Sequence, residues 1–382
     1  MFTNPQLHLY VLFLSASLYY LLPPSRPEYR RSLLIAVSSL LIFYAAPYSF
    51  ITVVIVSLCT SFFATLIQKE IYTRTSITIG IIICLLPILS FEYINQNENI
   101  IAKLGVSYFA LKSISILIDC SRKQLQVSFS QVLMLNAFFP IFSAGPIERA
   151  SVFEVDRFQN IFNIRDIGIG ISRILIGFFK SIFIVKELLG PLIKNYYGSL
   201  PVIMNTGDSM MLYGFVLSKF AMLYIAFSGY TDIAIGTGRV LGFKLRENFD
   251  KPFLATSIQN FWQRWHISLA NTVSNYLFLP FVRMTGKPAL AIFVAFILVG
   301  IWHEMTWNYL LWGFFHGIAL AINYKYGKYA GKKPILKKFH RNFIVLNFFR
   351  ILTISYVAWL SLFANSTDLK TAFQMSRMLI GI

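Results

Sequence analysis

Charge is scarce in this 382-residue chain: Asp, Glu, Lys and Arg make up 13% of it, about half the share in a soluble globular protein. Acid is scarcer still, with 16 Asp and Glu against 34 Lys and Arg, for a net charge of +18. There are only three cysteines, none at metal-ligand spacing. Cys59, Cys84 and Cys120 fall in or at the ends of apolar segments and read as buried thiols. These shortages exclude a secreted disulfide scaffold and an ordinary cytosolic enzyme. What is present is apolar: 56% of the residues are hydrophobic and the mean hydropathy is +0.63. That is too much for one buried core and excludes a disordered chain, so lipid must solvate most of the surface. There is no internal repeat, low-complexity tract or soluble appendage longer than a loop, and residues 1–382 read as one integral-membrane domain.

A spanning helix needs about 20 apolar residues. Eleven segments qualify: 9–23, 32–47, 50–68, 76–92, 103–119, 129–147, 167–186, 209–228, 288–303, 306–323 and 343–363. The first has no basic flank and no cleavage site, so it is expected to be a retained span. Arg26, Arg30 and Arg31 follow the first span, Lys69 and Arg74 the third, and Arg122 and Lys123 the fifth. The alternate connections are nearly free of basic residues, and 93–102 carries Glu98 with no Lys or Arg. That alternation places the N-terminus outside and the basic loops in the cytoplasm. The run Lys325, Lys328, Lys332, Lys333, Lys337, Lys338 and Arg341 fits the same frame. It reads first as a topology determinant; binding of anionic headgroups or of an acidic carrier protein is the sharper alternative. Nucleic-acid binding is not expected of this basic chain.

Residues 229–287 break the pattern. Hydropathy falls, yet the aromatic content is too high for a solvated loop, so re-entrant or interfacial helices are expected there. Gly236, Gly238 and Gly242 do not have phosphate-loop spacing and read as close-packing positions. Trp262 and Trp265 are three apart and share a helical face. His266 follows Trp265, and His303 follows Trp302 at the junction of two short apolar runs. Of the other histidines, His8 and His340 read as structural or incidental, and His316 as a core histidine with a satisfied hydrogen bond.

An intramembrane ionisable group is a functional-site hypothesis by default. A neutral imidazole can take a proton from a hydroxyl that attacks an acyl thioester. The G-x-S-x-G elbow, a Cys beside a His, and the H-E-x-x-H zinc motif are all absent. From residues alone, acyl transfer and transport through a proton relay both remain open.

The stretches FFPIFSAGPIER (138–149), FSGYTDIAIGTGRVLGF (227–243), RENFDKPF (246–253), FWQRWHISL (261–269) and GIWHEMTWNYLLWGFFHG (300–317) resemble the membrane-bound O-acyltransferase (MBOAT) family. The likeness is to the bacterial branch that O-acetylates alginate and transfers D-alanine to teichoic acid. The resemblance implies an all-α polytopic membrane protein, about eleven transmembrane helices with re-entrant or interfacial helices around a central channel. It also implies residence in the bacterial cytoplasmic membrane. His303 matches the family histidine regarded as catalytic and becomes the expected general base. His266 matches the second family histidine, with a role in positioning the acyl group or polarising its carbonyl; helix packing is its alternative. Trp262, Trp265 and Trp307 suit a tunnel for an acyl chain or pantetheine arm, and equally suit anchoring or packing. Arg264 suits a phosphate or headgroup contact, or pairing with Asp232 or Asp250; Asp232 is itself a substrate-contact candidate. Asn308 is placed to orient the base. The implied donor is acetyl-CoA, with a phosphopantetheine thioester on an acyl carrier protein as runner-up. The implied acceptor is an outer-side hydroxyl or a partner acyltransferase, and no resident cofactor or metal is implied. Two positions depart from the family pattern: Glu304 stands where Gly is common, and Ser274-Asn275 where an Arg-Asp pair is common. The first bears on proton affinity of, or access to, His303; the second bears on the acceptor or partner.

Overall fold

A computed structural model describes residues 5–94, 100–152, 162–198, 200–339, 342–366 and 368–381. Glu98, His340 and Arg341, singled out above, lie outside the described residues, as do the side chains of Lys337 and Lys338. Every regular element among the described residues is helical. In chain order these are α1 (Pro5–Leu21), α2 (Pro27–Ala45), α3 (Pro47–Gln68), α4 (Thr73–Ile94), α5 (Ile100–Ser121), α6 (Phe129–Ala137), α7 (Ile164–Phe178), α8 (Gly190–Tyr197) and α9 (Leu200–Thr206). They continue with α10 (Ser209–Val240), α11 (Ile258–Trp262), α12 (Ile267–Val273), α13 (Leu279–Thr285), α14 (Pro288–His303), α15 (Trp307–Ala330), α16 (Pro334–Phe339), α17 (Phe343–Asn365) and α18 (Leu369–Leu379).

The chain forms two compact units, Met1–Phe179 with Ser228–Glu247, and Lys180–Phe227 with Asn248–Ile382. By length and apolarity together, four stretches qualify as spans: Pro47–Gln68, Ile164–Thr206, Ser209–Val240 and Phe343–Asn365. Thr73–Ile88 and Pro288–His303 are apolar but shorter. The count of eleven therefore stays an expectation.

Two segment readings need correction. The expected span at 129–147 is a nine-residue helix, α6, that ends at Ala137; it rises only about 14 Å. Pro140 then sits in a single 3-10 turn, Phe139–Ile141, and the chain runs on irregularly but buried. Several polar groups here are satisfied from within the protein. Lys112 of α5, fully buried, donates to the carbonyls of Leu135 (3.2 Å) and Ile141 (2.9 Å). Ser38 accepts from the Phe139 amide at 3.2 Å. Asn136 donates to Ser57 and Ser113 at 3.0 and 2.9 Å. A hydropathy window registers apolar residues and misses this irregular backbone. The second correction concerns 229–240, which is not re-entrant but continues α10 to Val240.

In the first unit three basic loops come together. Lys123 pairs with Glu70 at 2.5 Å, which holds the Glu70 carboxyl below the usual carboxylate range. Arg31 donates to Ser130 at 3.2 Å. The loops after α1, α3 and α5 therefore lie at one end of this unit, as the alternating charge pattern requires.

The low-hydropathy end of α10 packs against α7 through glycines. A Cβ on Gly170 would meet the Gly236 carbonyl at 2.8 Å, and one on Gly236 would meet the Gly170 carbonyl at 2.6 Å. Such close approach is how membrane helices associate. Gly242, at φ +84°, closes α10: its amide bonds the Arg239 carbonyl and the Phe243 amide bonds the Gly238 carbonyl, a Schellman stop. The glycines at 236–242 thus do packing and capping. The polar residues of this helix end are partnered too: Asp232 with Arg173 (2.9 Å) and Arg239 with Asp166 (2.8 Å). Thr237 donates to the Ile233 carbonyl, so its oxygen accepts from His8 Nε2 at 2.8 Å, and buried His8 is a structural pin. Cys84 and Cys120 are buried thiols; Cys59 is only half-buried, on a part of α3 less covered by protein.

The glycine contact predicts an asymmetric pair of variants. Gly170→Ala is expected to destabilise the protein by about 1–3 kcal/mol through overpacking. Gly168→Ala, where nothing lies within 4 Å, is expected to be neutral or stabilising by up to about 1 kcal/mol. Thermal unfolding in detergent reads both.

Candidate functional site

The residues of interest in the second unit sit on two supports. The first is a crossing of two chain segments at 248–250 and 264–267. The Asp250 amide bonds the Arg264 carbonyl and the Ile267 amide bonds the Asn248 carbonyl, both at 2.9 Å. Between them His266 takes a left-handed conformation, φ 44° and ψ 52°. That costs a non-glycine residue about 1–2 kcal/mol, so the surroundings must hold it there.

Asn248, fully buried, does much of the holding. Its Oδ1 accepts from the Ser268 amide (3.1 Å) and the Ser268 hydroxyl (2.8 Å), and lies 3.1 Å from His266 Nδ1. A backbone amide can only donate, so the Asn248 atom is the oxygen and His266 Nδ1 must carry the hydrogen. The neutral His266 ring therefore has its lone pair at Nε2. The same oxygen caps α12, whose own N-cap residue, His266, makes no side-chain cap.

Around this crossing is an aromatic core. Trp265 stacks on Phe220 and Phe261, with centroids 5.5 Å apart in each case, and meets Phe249 edge-on at 5.1 Å. Phe227 meets the His266 ring edge-on at 4.9 Å. Arg264 pairs with Asp250 (3.1 Å) and also donates to the Asp250 carbonyl and to Asn260.

The second support is the α14–α15 hairpin. A Cβ at Gly300 would run into the Tyr309 carbonyl, and one at Gly313 into the Phe296 carbonyl, so the two backbones nearly touch. That brings the last residue of α14, His303, against α15. Its ring stacks on Tyr309 at 5.6 Å and meets Trp312 edge-on at 5.4 Å, with Trp302 at 4.7 Å. Trp312 packs in turn on His316 at 4.5 Å and on Trp262 at 5.9 Å. The Trp262 indole N–H donates to His316 Nδ1 at 3.3 Å. An indole nitrogen is donor only, so His316 accepts at Nδ1 and its proton sits on Nε2. Buried His316 is thus a core histidine with its hydrogen bond made.

His303 differs from both. It is exposed, and among the described residues its ring makes no hydrogen bond. It lies close enough to His266 and His316 to interact electrostatically with each. Ring contacts hold it in place while its nitrogens stay available.

The structure thus groups His303, His266, Trp262 and Trp265 within the second unit. Other expected residues are placed elsewhere or engaged. Trp307 is 71% exposed at the start of α15. Asn308 donates to the Ser366 carbonyl at 2.9 Å, which ties α15 to the end of α17. Asp232 belongs to the first unit, with Arg173 as its partner. Glu304 caps the end of α14 in extended conformation. Ser274 lines a cavity of about 310 Å³ with Trp262, Gln263, Asn271 and Phe296; His266 and His303 do not line it. Sequence reasoning missed Asn248, Tyr309 and Trp312, although all three fall inside motifs quoted above. The four-residue spacing of Trp312 and His316 on one helix was the available signal. It also missed Trp302, whose indole nitrogen is buried and has no hydrogen-bond partner among the described residues, its ring lying against His303. No group of three or more His, Cys, Asp or Glu among the described residues could hold a metal ion.

Asn248 yields a discriminating pair of variants. Asn248→Ala is expected to cost about 1–3 kcal/mol by orphaning buried donors, and to release the His266 proton from Nδ1. Asn248→Asp keeps an acceptor and is expected to retain the tautomer. Histidine 15N NMR in detergent checks the proton position, and thermal unfolding checks the stability.

Comparison with known proteins adds the following. A sequence profile of the MBOAT, membrane-bound O-acyltransferase, family matches residues 50–364. The chain is 32% identical over 243 residues to a probable alginate O-acetylase of Pseudomonas aeruginosa, covering 62% of this chain and 45% of that protein. It is 30% identical over 244 residues to a teichoic acid D-alanyltransferase of Bacillus subtilis, covering 59% of each. It is 28% identical over 322 residues to a peptidoglycan O-acetyltransferase of Helicobacter pylori, covering 75% of this chain and 58% of that one. The chain spans about half the length of these relatives.

Proposed function

The chain belongs to the membrane-bound O-acyltransferase family and is an integral membrane protein, and from that premise we propose that it transfers an acyl group from a thioester to a hydroxyl, with His303 as general base. The observation that carries this reading is the difference between the histidines. His8 has its Nε2, and His316 and His266 their Nδ1, in a hydrogen bond to Thr237, Trp262 and Asn248 respectively. His303 is exposed and held by ring contacts alone.

In the proposed step a neutral His303 nitrogen takes the proton of the acceptor hydroxyl. The hydroxyl oxygen forms a bond to the thioester carbonyl carbon, and the carbon–sulfur bond breaks. The departing thiolate recovers the proton from the imidazolium, so the products are an ester and a thiol. His266 acts as a positioning residue. In its neutral form it lacks an Nε2 proton with which to polarise the carbonyl, so that part of the expected role is dropped. Trp262 and Trp265 form apolar walls for the acyl group or its carrier arm.

Acetyl-CoA is the proposed donor, supported by the O-acetylating relatives. A carrier-protein thioester is the second reading, supported by the D-alanyltransferase relatives. The proposed acceptor is an envelope or secreted polysaccharide on the outer face of the bacterial cytoplasmic membrane, reached directly or through a partner acyltransferase. Sidedness is supported by α14: its 16 residues separate His303 from the lysine-rich end of the hairpin by about 24 Å.

The test is transfer of labelled acetyl from acetyl-CoA in membranes holding wild type or His303→Gln at equal abundance. The expected result is transfer by wild type that falls by about 10²–10⁴-fold in the variant. Equal transfer by both would falsify the general-base role and favour a passive acyl conduit.

A further inference from the structure

At the end of the α14–α15 hairpin remote from His303, four lysines converge on one open recess. Lys287 precedes α14, Lys325 and Lys328 lie in the last turns of α15, and Lys332 follows it. Tyr324 and Tyr329 complete the walls of a recess of about 780 Å³. Positions 325, 328 and 329 follow i, i+3, i+4 and so share one face of α15, and Lys332 comes just past the helix end. The first turn of α14 also lines the recess and contributes the partial positive charge of a helix N-terminus.

All four lysines are exposed, and among the described residues none pairs with a carboxylate. Residues 251–367 contain twelve Lys and Arg but one carboxylate, Glu304. Glu304 is at the opposite end of the hairpin, about 24 Å away along the helix. A topology signal requires only lysines in a loop. It does not require them gathered with two tyrosines in a concave site.

We propose that this recess binds the phosphate headgroup of an anionic glycerophospholipid. Apolar surface beside the charge favours a lipid over a soluble phosphate compound. Leu290, 43% exposed, lines the recess itself. Ile322, 63% exposed, lies one turn before Lys325 on the same face of α15. Leu290 and Ile322 therefore put exposed apolar surface beside the charge, on which an acyl chain of the bound lipid lies. Lysine stems lie along such surface while their ammonium groups reach the phosphate, and tyrosines suit the same boundary layer.

The test uses the full chain in nanodiscs of phosphatidylcholine with a minor share of phosphatidylglycerol, reading the lipids retained on the protein by mass spectrometry. Wild type is expected to retain phosphatidylglycerol selectively. The variant with Lys287, Lys325, Lys328 and Lys332 all changed to Gln is expected to lose that selectivity by about tenfold or more. The corresponding four-Arg variant is expected to keep it. Changing Lys186, Lys194, Lys219 and Lys370 to Gln is expected to leave it intact, which separates the recess from general positive charge. Unchanged selectivity in the Gln variant of the recess overturns the proposal. So does lysine-dependent binding of inorganic pyrophosphate without lipid selectivity, which would make the recess a site for soluble phosphates.

Discussion

Inside a bilayer there is no water to satisfy a polar group that the protein leaves unpaired, and each such group costs several kcal/mol. That constraint accounts for most of the buried polar contacts in this chain. Lys112 reaches two carbonyls of the irregular segment after α6. Asn136 is held by two serines, His8 by Thr237, and His316 by Trp262. Asn248 collects three donors on one oxygen and so caps α12 and fixes the His266 tautomer in one stroke. Against that background His303 stands apart from His8, His266 and His316: it is exposed, and its ring makes no hydrogen bond among the described residues. An ionisable group left available in such a setting is where chemistry is to be sought.

The hairpin of α14 and α15 connects two ends with opposite character. At one end glycine contacts press His303 among Trp302, Tyr309 and Trp312. At the other, lysines and tyrosines surround an open recess. If an anionic headgroup occupies that recess, it fixes the depth of the hairpin in the bilayer, and with it the depth of the proposed base. Packing that brings helix backbones together thus serves both the site and its placement.

Much of this was legible in the sequence, for reasons that differ by element. The helices at 50–68, 288–303 and 343–363 were readable because uniform apolar runs end in Pro, Gly or charge, and α3, α14 and α17 fall there, the first and last long enough to span. The 129–147 segment was misread because apolarity does not report that Pro140 ends regular helix or that Lys112 satisfies the chain beyond. Residues 229–240 were misread for the opposite reason: Asp232 and Arg239 lower the hydropathy, yet their partners, Arg173 and Asp166, lie 59 and 73 positions away. The Trp-His pairs drew attention to His266 and His303 by residue type alone. Asn248 could not be assigned a role that way, because its task exists only once 248–250 and 264–267 lie side by side.

The central claim is that, of the four histidines described, His303 is the proton acceptor, while His8, His266 and His316 are each held through one ring nitrogen. Carbethoxylation by diethyl pyrocarbonate, followed site by site with peptide mass spectrometry on the detergent-solubilised protein, tests it most directly. The account predicts that His303 is modified well before His8, His266 and His316, and that loss of acyl transfer follows the His303 adduct. Modification of His266 or His316 at the same rate as His303 would contradict it.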